Sequence, residues 1–240
     1  RRAEMEVESS DSRVHTVHTL FPETYLQGFL AKDIRPDSRA FTSVRSTKCN
    51  SGVIKTCRGS ASVELGGTCV VAGVTLAAHE IIAGVEHPEG KVEVTVELGQ
   101  ACSSRFPPAN SGRAPEEATA LSSLLKRILS RTVDCSALVI RDDEGNKERA
   151  VWSVLVNVVC LNYDGNLLDA SVLACVRALR DVKHLKGTFS VREGNLVVKD
   201  VWETLQMVEA PVSVTHAVFE TSSGQAMVVD PTAEEQDLAA

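Results

Sequence analysis

Strand-type alternation and helix-type repeats take turns along this 240-residue chain. Lys91–Leu98 sets Val92, Val94, Val96 and Leu98 on one side of an extended segment, which predicts a half-buried strand. Ser60–Leu65 and Thr68–Ala77 flank Gly66-Gly67 and predict a hairpin, with a short strand at Val53–Thr56 ahead of it. Leu121, Leu124, Leu125 and Ile128 then recur at helical spacing. Pro115 suits the first helical position, Glu116 and Glu117 the first turn, and Lys126, Arg127 and Arg131 the end, as the helix dipole favours. Burying each of those leucines stabilises by roughly 1.5–3 kcal/mol before entropy, so this face is expected to pack on a sheet.

The alternation recurs further on. Ala137–Arg141 and Val151–Leu161 read as strands, the second apolar at nearly every position and therefore expected to be covered on both faces. Asp164-Gly165-Asn166 is a turn signal, and Asp169–Val182, rich in small residues, predicts a closely packed helix. Leu196–Lys199, Pro211–Glu220 and Ala226–Val229 form a third strand group with no helix after it, and Asp230, Glu234, Glu235 and Asp237 follow without an apolar stripe. At the other end, residues 1–20 are charged and expected to be flexible. Phe21–Leu30 predicts a short amphipathic helix that packs onto a neighbour. The fold class is α+β. Residues 21–240 read as one domain whose end is unfinished, lacking a C-terminal hairpin and helix.

Composition narrows the chemistry. The chain is 4% aromatic, so its core is built from Val, Leu and Ala. A net charge of −7 argues against a surface that binds nucleic acid throughout, though a local basic stripe shared with other chains remains open. Seven cysteines form no C-x-x-C pair and lie mostly inside apolar runs, which reads as reduced core thiols. Neither a membrane-spanning helix nor a secretory signal is expected, and so no membrane partner. The histidines are scattered, and no phosphate loop, G-x-G-x-x-G or G-x-S-x-G elbow is present; no cofactor and no metal is expected.

Several segments carry a family resemblance. Arg35-Pro36-Asp37-Ser38-Arg39 resembles the Arg-Pro-Asp-Gly-Arg signature of the RNase PH family, with Ser38 in place of glycine. Gly59-Ser60-Ala61 and Leu65-Gly66-Gly67-Thr68 resemble its first hairpin. Pro88-Glu89-Gly90, Cys102–Phe106, Asp164–Ala170 and Val229–Glu235 are similar to the non-catalytic members that build the core ring of the eukaryotic RNA exosome. The resemblance runs in register from about Arg35 to Glu235. It implies an RNase PH-like fold (ribosomal protein S5 domain 2-like), two pseudo-equivalent halves of mixed sheets with helices packed outside. It also implies partners: other RNase PH-like subunits in a six-membered ring, S1/KH-type cap proteins, RNA in the central channel and an associated hydrolytic nuclease. The setting it implies is the nucleus, including the nucleolus, and the cytoplasm.

The same resemblance locates a vestigial phosphate site. Catalytic relatives carry Gly-Thr-Arg where this chain has Asn166-Leu167-Leu168, and their arginine holds the attacking phosphate at a helix N-terminus. Leu168 has neither the charge nor the forked donors for that task. By analogy with a lost oxyanion donor, about 3–4 kcal/mol of transition-state stabilisation disappears. No catalytic residue is therefore assigned, and the expectation is a structural subunit without phosphorolytic activity. An active phosphate-dependent 3′–5′ exoribonuclease is the alternative; a small-molecule kinase would need the phosphate loop that is missing. Asp230, Glu234, Glu235 and Asp237 read either as a metal site or as solvated acids beside a Pro231-Thr232 turn, with the second preferred. Asp169 reads as a helix cap. Arg105 and Arg113 are the candidates for RNA phosphate contact, while Arg45, Lys48, Lys55 and Arg58 form a sparser basic group suited to protein contact.

Overall fold

Gly66 takes a left-handed φ of 56°, and the chain reverses there between strands Gly59–Leu65 (β2) and Thr68–Glu80 (β3). Thr47–Ser51 (β1) pairs antiparallel with β2 and forms an edge of the sheet. The computed structural model describes residues 19–81, 89–108, 115–142, 147–190, 195–221 and 224–239, with backbone alone for 184–202. They divide into two units. One joins residues up to Arg45 with residues from Val214 onward; the other is Ser46–Ser213. Apart from Thr19 and Leu20, the N-terminal segment expected to be flexible lies outside the described residues.

The Ser46–Ser213 unit is organised by its longest strand, Glu148–Asn162 (β6). It runs antiparallel to β3 and parallel to Lys91–Glu97 (β4), giving the order β1-β2-β3-β6-β4, with Val139–Arg141 (β5) also paired to β6. Helices Glu116–Thr132 (α2) and Leu167–Asp181 (α3) pack on the sheet, α2 against β4 and α3 against β2 and β3. The alternation in β4 is as predicted, with Val92, Val94 and Val96 buried and their neighbours exposed. In α2 the buried face is Ala118, Leu125, Leu129 and Thr132, turned slightly from the predicted leucine stripe. Pro115 caps that helix from an extended conformation, one position earlier than predicted.

β6 corrects one expectation. Val154, Val156 and Val158 are fully buried beneath the helices, but Val151, Leu155 and Val159 are half-buried and Asn157 and Leu161 exposed. An unbroken apolar run does not reveal which face a single chain covers. Two strands were missed and one misplaced. β1 is exposed at every position and carries no apolar signal; it exists because its backbone pairs with β2. The predicted strand at Val53–Thr56 is a loop after Gly52, whose φ is 70°; there Ser60 Oγ accepts from Ile54 N at 2.8 Å. Lys183–Ser190 (β7) pairs with Asn195–Thr204 (β8) in a hairpin the sequence reading saw only in part.

α3 lies very close to the sheet. A Cβ on Gly59 would stand 2.4 Å from Ala178 O and 2.7 Å from Val182 N, so only glycine permits this approach, as the small-residue composition of the helix predicts.

The unit made from the chain ends has its own small core. Helix Pro22–Leu30 (α1) buries Leu26 and Leu30 together with Ala217, Phe219 and Val228. The last three belong to the hairpin His216–Thr221 (β9) and Gly224–Val229 (β10). The neighbour on which α1 packs is thus this chain's own C-terminal hairpin. Strand β9 begins five residues later than predicted from Pro211, a residue without an N–H for the ladder. A helix does follow the third strand group: Ala233–Leu238 (α4). Its capping box, Thr232 with Glu235, lies in what the sequence reading took for a turn, and six residues are too few to display apolar periodicity. Among the described residues there is one six-stranded sheet and two hairpins, so the second of the two implied halves is not represented by an equal sheet.

Candidate functional site

The corner where β6 hands over to α3 is held by a clamp from the β2–β3 turn. Asn162 Nδ2 donates to Gly67 O (2.6 Å), and Thr68 Oγ1 donates to Gly165 O (2.6 Å) while accepting from Asp164 N (3.0 Å). Asn166 is buried with φ 51° and ψ 46°, a left-handed conformation that Asn tolerates better than most residues. Its Nδ2 donates to Asp169 Oδ2 at 2.9 Å. Asp169 is therefore a first-turn acid rather than the cap residue itself, and its charge already complements the helix N-terminus. Leu167 and Leu168 are half-buried and pack against the hydrophobic core. These two turn positions are spent on packing.

Arg105 stands at this same corner. Its loop turns through Cys102 N to Gly99 O (3.0 Å) and Phe106 N to Ser103 O (3.2 Å), and it is tied to the corner by Tyr163 N donating to Cys102 O (3.1 Å). The Phe106 and Tyr163 rings meet edge to face at 5.4 Å, and the exposed Arg105 guanidinium lies 5.9 Å from the Tyr163 ring centre. The structure thus joins a residue named for RNA contact to a turn named as a vestigial phosphate site, about sixty positions on. Arg113 lies outside the described residues. Tyr163 was missed. Its signal was slight, an aromatic residue in an aromatic-poor chain, directly before the turn.

Cys102 and Cys160 are buried beneath the corner. Burial first, and then its neighbour Cys102, push the Cys160 thiol up to about 12; burial alone does the same to Cys175. Such thiols carry almost no thiolate, in keeping with the reading as core residues.

Asp230 and Glu235 overturn both readings offered for the acids near the C-terminus, whereas Glu234 and Asp237 are solvated as expected. Asp230 and Glu235 are buried, neither solvated nor arranged as an open cation site. Arg35, fully buried, donates through Nε to Glu235 Oε1 (2.9 Å), through Nη1 to Val229 O (2.8 Å) and through Nη2 to Asp230 O (3.0 Å) and the second oxygen of Glu235. Arg39 Nη1 and Arg45 Nη2 bind the two oxygens of Asp230 at 3.1 and 2.8 Å. Arg45 is therefore no member of a surface basic group. Glu234 and Asp237 are exposed. Among the described residues no three His, Cys, Asp or Glu side chains are grouped to hold a metal ion. Partners almost two hundred positions apart left no local trace in the sequence.

Comparison with known proteins now decides the family. Residues 43–184 match the model of the 3′ exoribonuclease family, domain 1, typified by RNase PH. The chain belongs to the RNase PH family. Its fold is RNase PH-like, as the motifs implied. It is similar to the exosome complex component Rrp42 of Archaeoglobus fulgidus, with 34% identity over 89% of this chain and 75% of that protein. It is also similar to the exosome complex component rrp43 of Schizosaccharomyces pombe, with 29% identity over 90% of this chain and 77% of that one. Among solved structures, a chain of the Archaeoglobus fulgidus exosome with RNA bound to the active site matches with TM-score 0.72, 30% identity and coverage of 90% and 78%. An archaeal exosome core matches with TM-score 0.67, 28% identity and coverage of 96% and 79%. The family match contains the β6–α3 corner and Arg105; of the buried arginine network it includes Arg45 alone.

Proposed function

We propose that this RNase PH-family chain is a structural subunit of the RNA exosome core ring, without phosphorolytic activity of its own. One observation carries the second half of that statement. Leu168, at the turn where catalytic relatives place a phosphate-binding arginine, packs into the core, and Asp169 already supplies negative charge to the helix N-terminus. Likeness over most of the chain to proteins named exosome components supports the first half. Its partners are then other RNase PH-like subunits in a six-membered ring, S1/KH-type cap proteins, RNA passing through the channel and a separate hydrolytic nuclease. It works in the nucleus, nucleolus included, and the cytoplasm, in RNA processing and degradation. Residues 21–240 act as one RNase PH-like domain in that ring, and Arg105 and Arg113 contact RNA phosphates.

The second reading, a phosphate-dependent 3′–5′ exoribonuclease, has one observation in its favour: the exposed Arg105 beside the turn. Affinity purification of the tagged full chain separates the two. Several RNase PH-like chains with small RNA-binding cap proteins are expected to co-purify; a solitary monomer sinks the ring assignment. Adding orthophosphate to the purified chain should release no nucleoside diphosphates from single-stranded RNA. Release that rises with phosphate and disappears in Arg105→Ala establishes the second reading instead.

A further inference from the structure

We infer that Tyr163 is a positioning residue that holds Arg105 ready for a phosphate of single-stranded RNA. This rests on the reading of Arg105 as an RNA contact and deepens it. An exposed arginine side chain on an irregular loop loses rotamer freedom on binding a ligand. A contact that orders it beforehand lowers that loss. Tyr163 is built to provide one. Its backbone continues from the central strand β6, its N–H is bonded to Cys102 O at 3.1 Å, and its ring packs edge to face on the buried Phe106. The Arg105 guanidinium lies 5.9 Å from that ring, within reach of its electron-rich face.

Two further bonds keep the ring and the loop in register. Asp164 N, next in the chain, is held by Thr68 Oγ1 at 3.0 Å, and Arg105 N donates to Ser103 Oγ at 3.3 Å. The backbones that carry guanidinium and ring are therefore each held, and the pair lies where β6 meets α3. RNA rather than a protein acid is the ligand favoured by membership of an exoribonuclease family and by likeness to a structure holding RNA. The aromatic ring acts through its face; its hydroxyl has no part in the inference.

The test uses the purified complex containing the full chain, with fluorescein-labelled oligouridylate titrated across a series of salt concentrations. Arg105→Ala should weaken binding about tenfold and lower the salt slope by about 0.7, the loss of one phosphate contact. Tyr163→Phe should bind like the parent, whereas Tyr163→Leu should lose most of what Arg105→Ala loses. The double variant should bind no worse than Arg105→Ala alone. Parental affinity in Tyr163→Leu overturns the inference. So does an additive loss in the double variant, because Tyr163 would then touch RNA itself. If Arg105→Ala has no effect, the underlying RNA-contact reading falls too, so the two failures are distinguishable. Should Tyr163→Leu fail to assemble, Tyr163→Trp decides, since its larger aromatic face must preserve parental affinity and salt slope.

Discussion

Arginine serves two opposite ends in two regions of this molecule. In the unit formed by the chain ends, donors of Arg35, Arg39 and Arg45 are taken up by Asp230, Glu235, Asp37 and backbone carbonyls. At the β6–α3 corner, Arg105 is exposed, braced from one side by an aromatic ring. The family signature thus marks structural arginines, while the residue proposed to contact RNA lies in a loop of ordinary appearance. What separates the roles is the surroundings. A buried guanidinium needs an anion inside the protein to offset desolvation, whereas an exposed one is stabilised by water and makes no such demand.

The largest expected effect comes from emptying the inward network. Arg35→Met leaves Glu235 buried without its guanidinium, and unfolding by denaturant should report a loss of roughly 3–5 kcal/mol. Adding Glu235→Met to that variant should recover much of the loss, because an apolar pair of similar volume needs no compensation. A double variant as unstable as the single would mean that the carbonyl contacts, not the ion pair, hold this region. Gly59→Ala strikes the other region alone by forcing α3 away from β2; overpacking of this kind costs about 1–3 kcal/mol in a thermal or denaturant melt. A neutral result would show that the helix can shift without strain.

Two smaller effects sharpen the picture. Ser38 holds a left-handed φ of 64°, so Ser38→Gly should raise stability by no more than about 1 kcal/mol despite its greater unfolded-state entropy. Asp37 gives a pH signature. Burial pushes its carboxyl up, but hydrogen bonds from Arg39 and the charges of Arg39 and Arg35 outweigh this and hold it below the usual range. A depressed folded-state value means that its stabilisation is complete above the ordinary carboxylate value of about 3.9 and is lost as pH falls through the folded value beneath it. Asp37→Asn should remove that acid-limb dependence. The amplitude should stay under about 0.5 kcal/mol, because the side chain is one-third exposed and screened.

Much of the fold was readable from local pattern. The β4 alternation, the Gly66-Gly67 hairpin and the small-residue helix α3 each express a period or composition that contacts within a few residues enforce. β1 was invisible, because an edge strand with five exposed side chains is held by backbone pairing to β2 and carries no face to read. Of the candidate site, Leu168 was recognisable at once as a residue unable to grip phosphate. Tyr163 was not, since its part depends on a loop some sixty residues earlier in the chain.

By itself the amino-acid order determined most element types, the family motifs and an apolar pair at the turn, all properties of residues and their near neighbours. Only the tertiary structure decided which charges are buried and which face outward. A side chain's dielectric surroundings are set by whatever the chain brings against it from afar. Arg35 and Arg105 look alike in sequence; Glu235 arriving from two hundred residues away, and Tyr163 from the end of β6, gave them different surroundings.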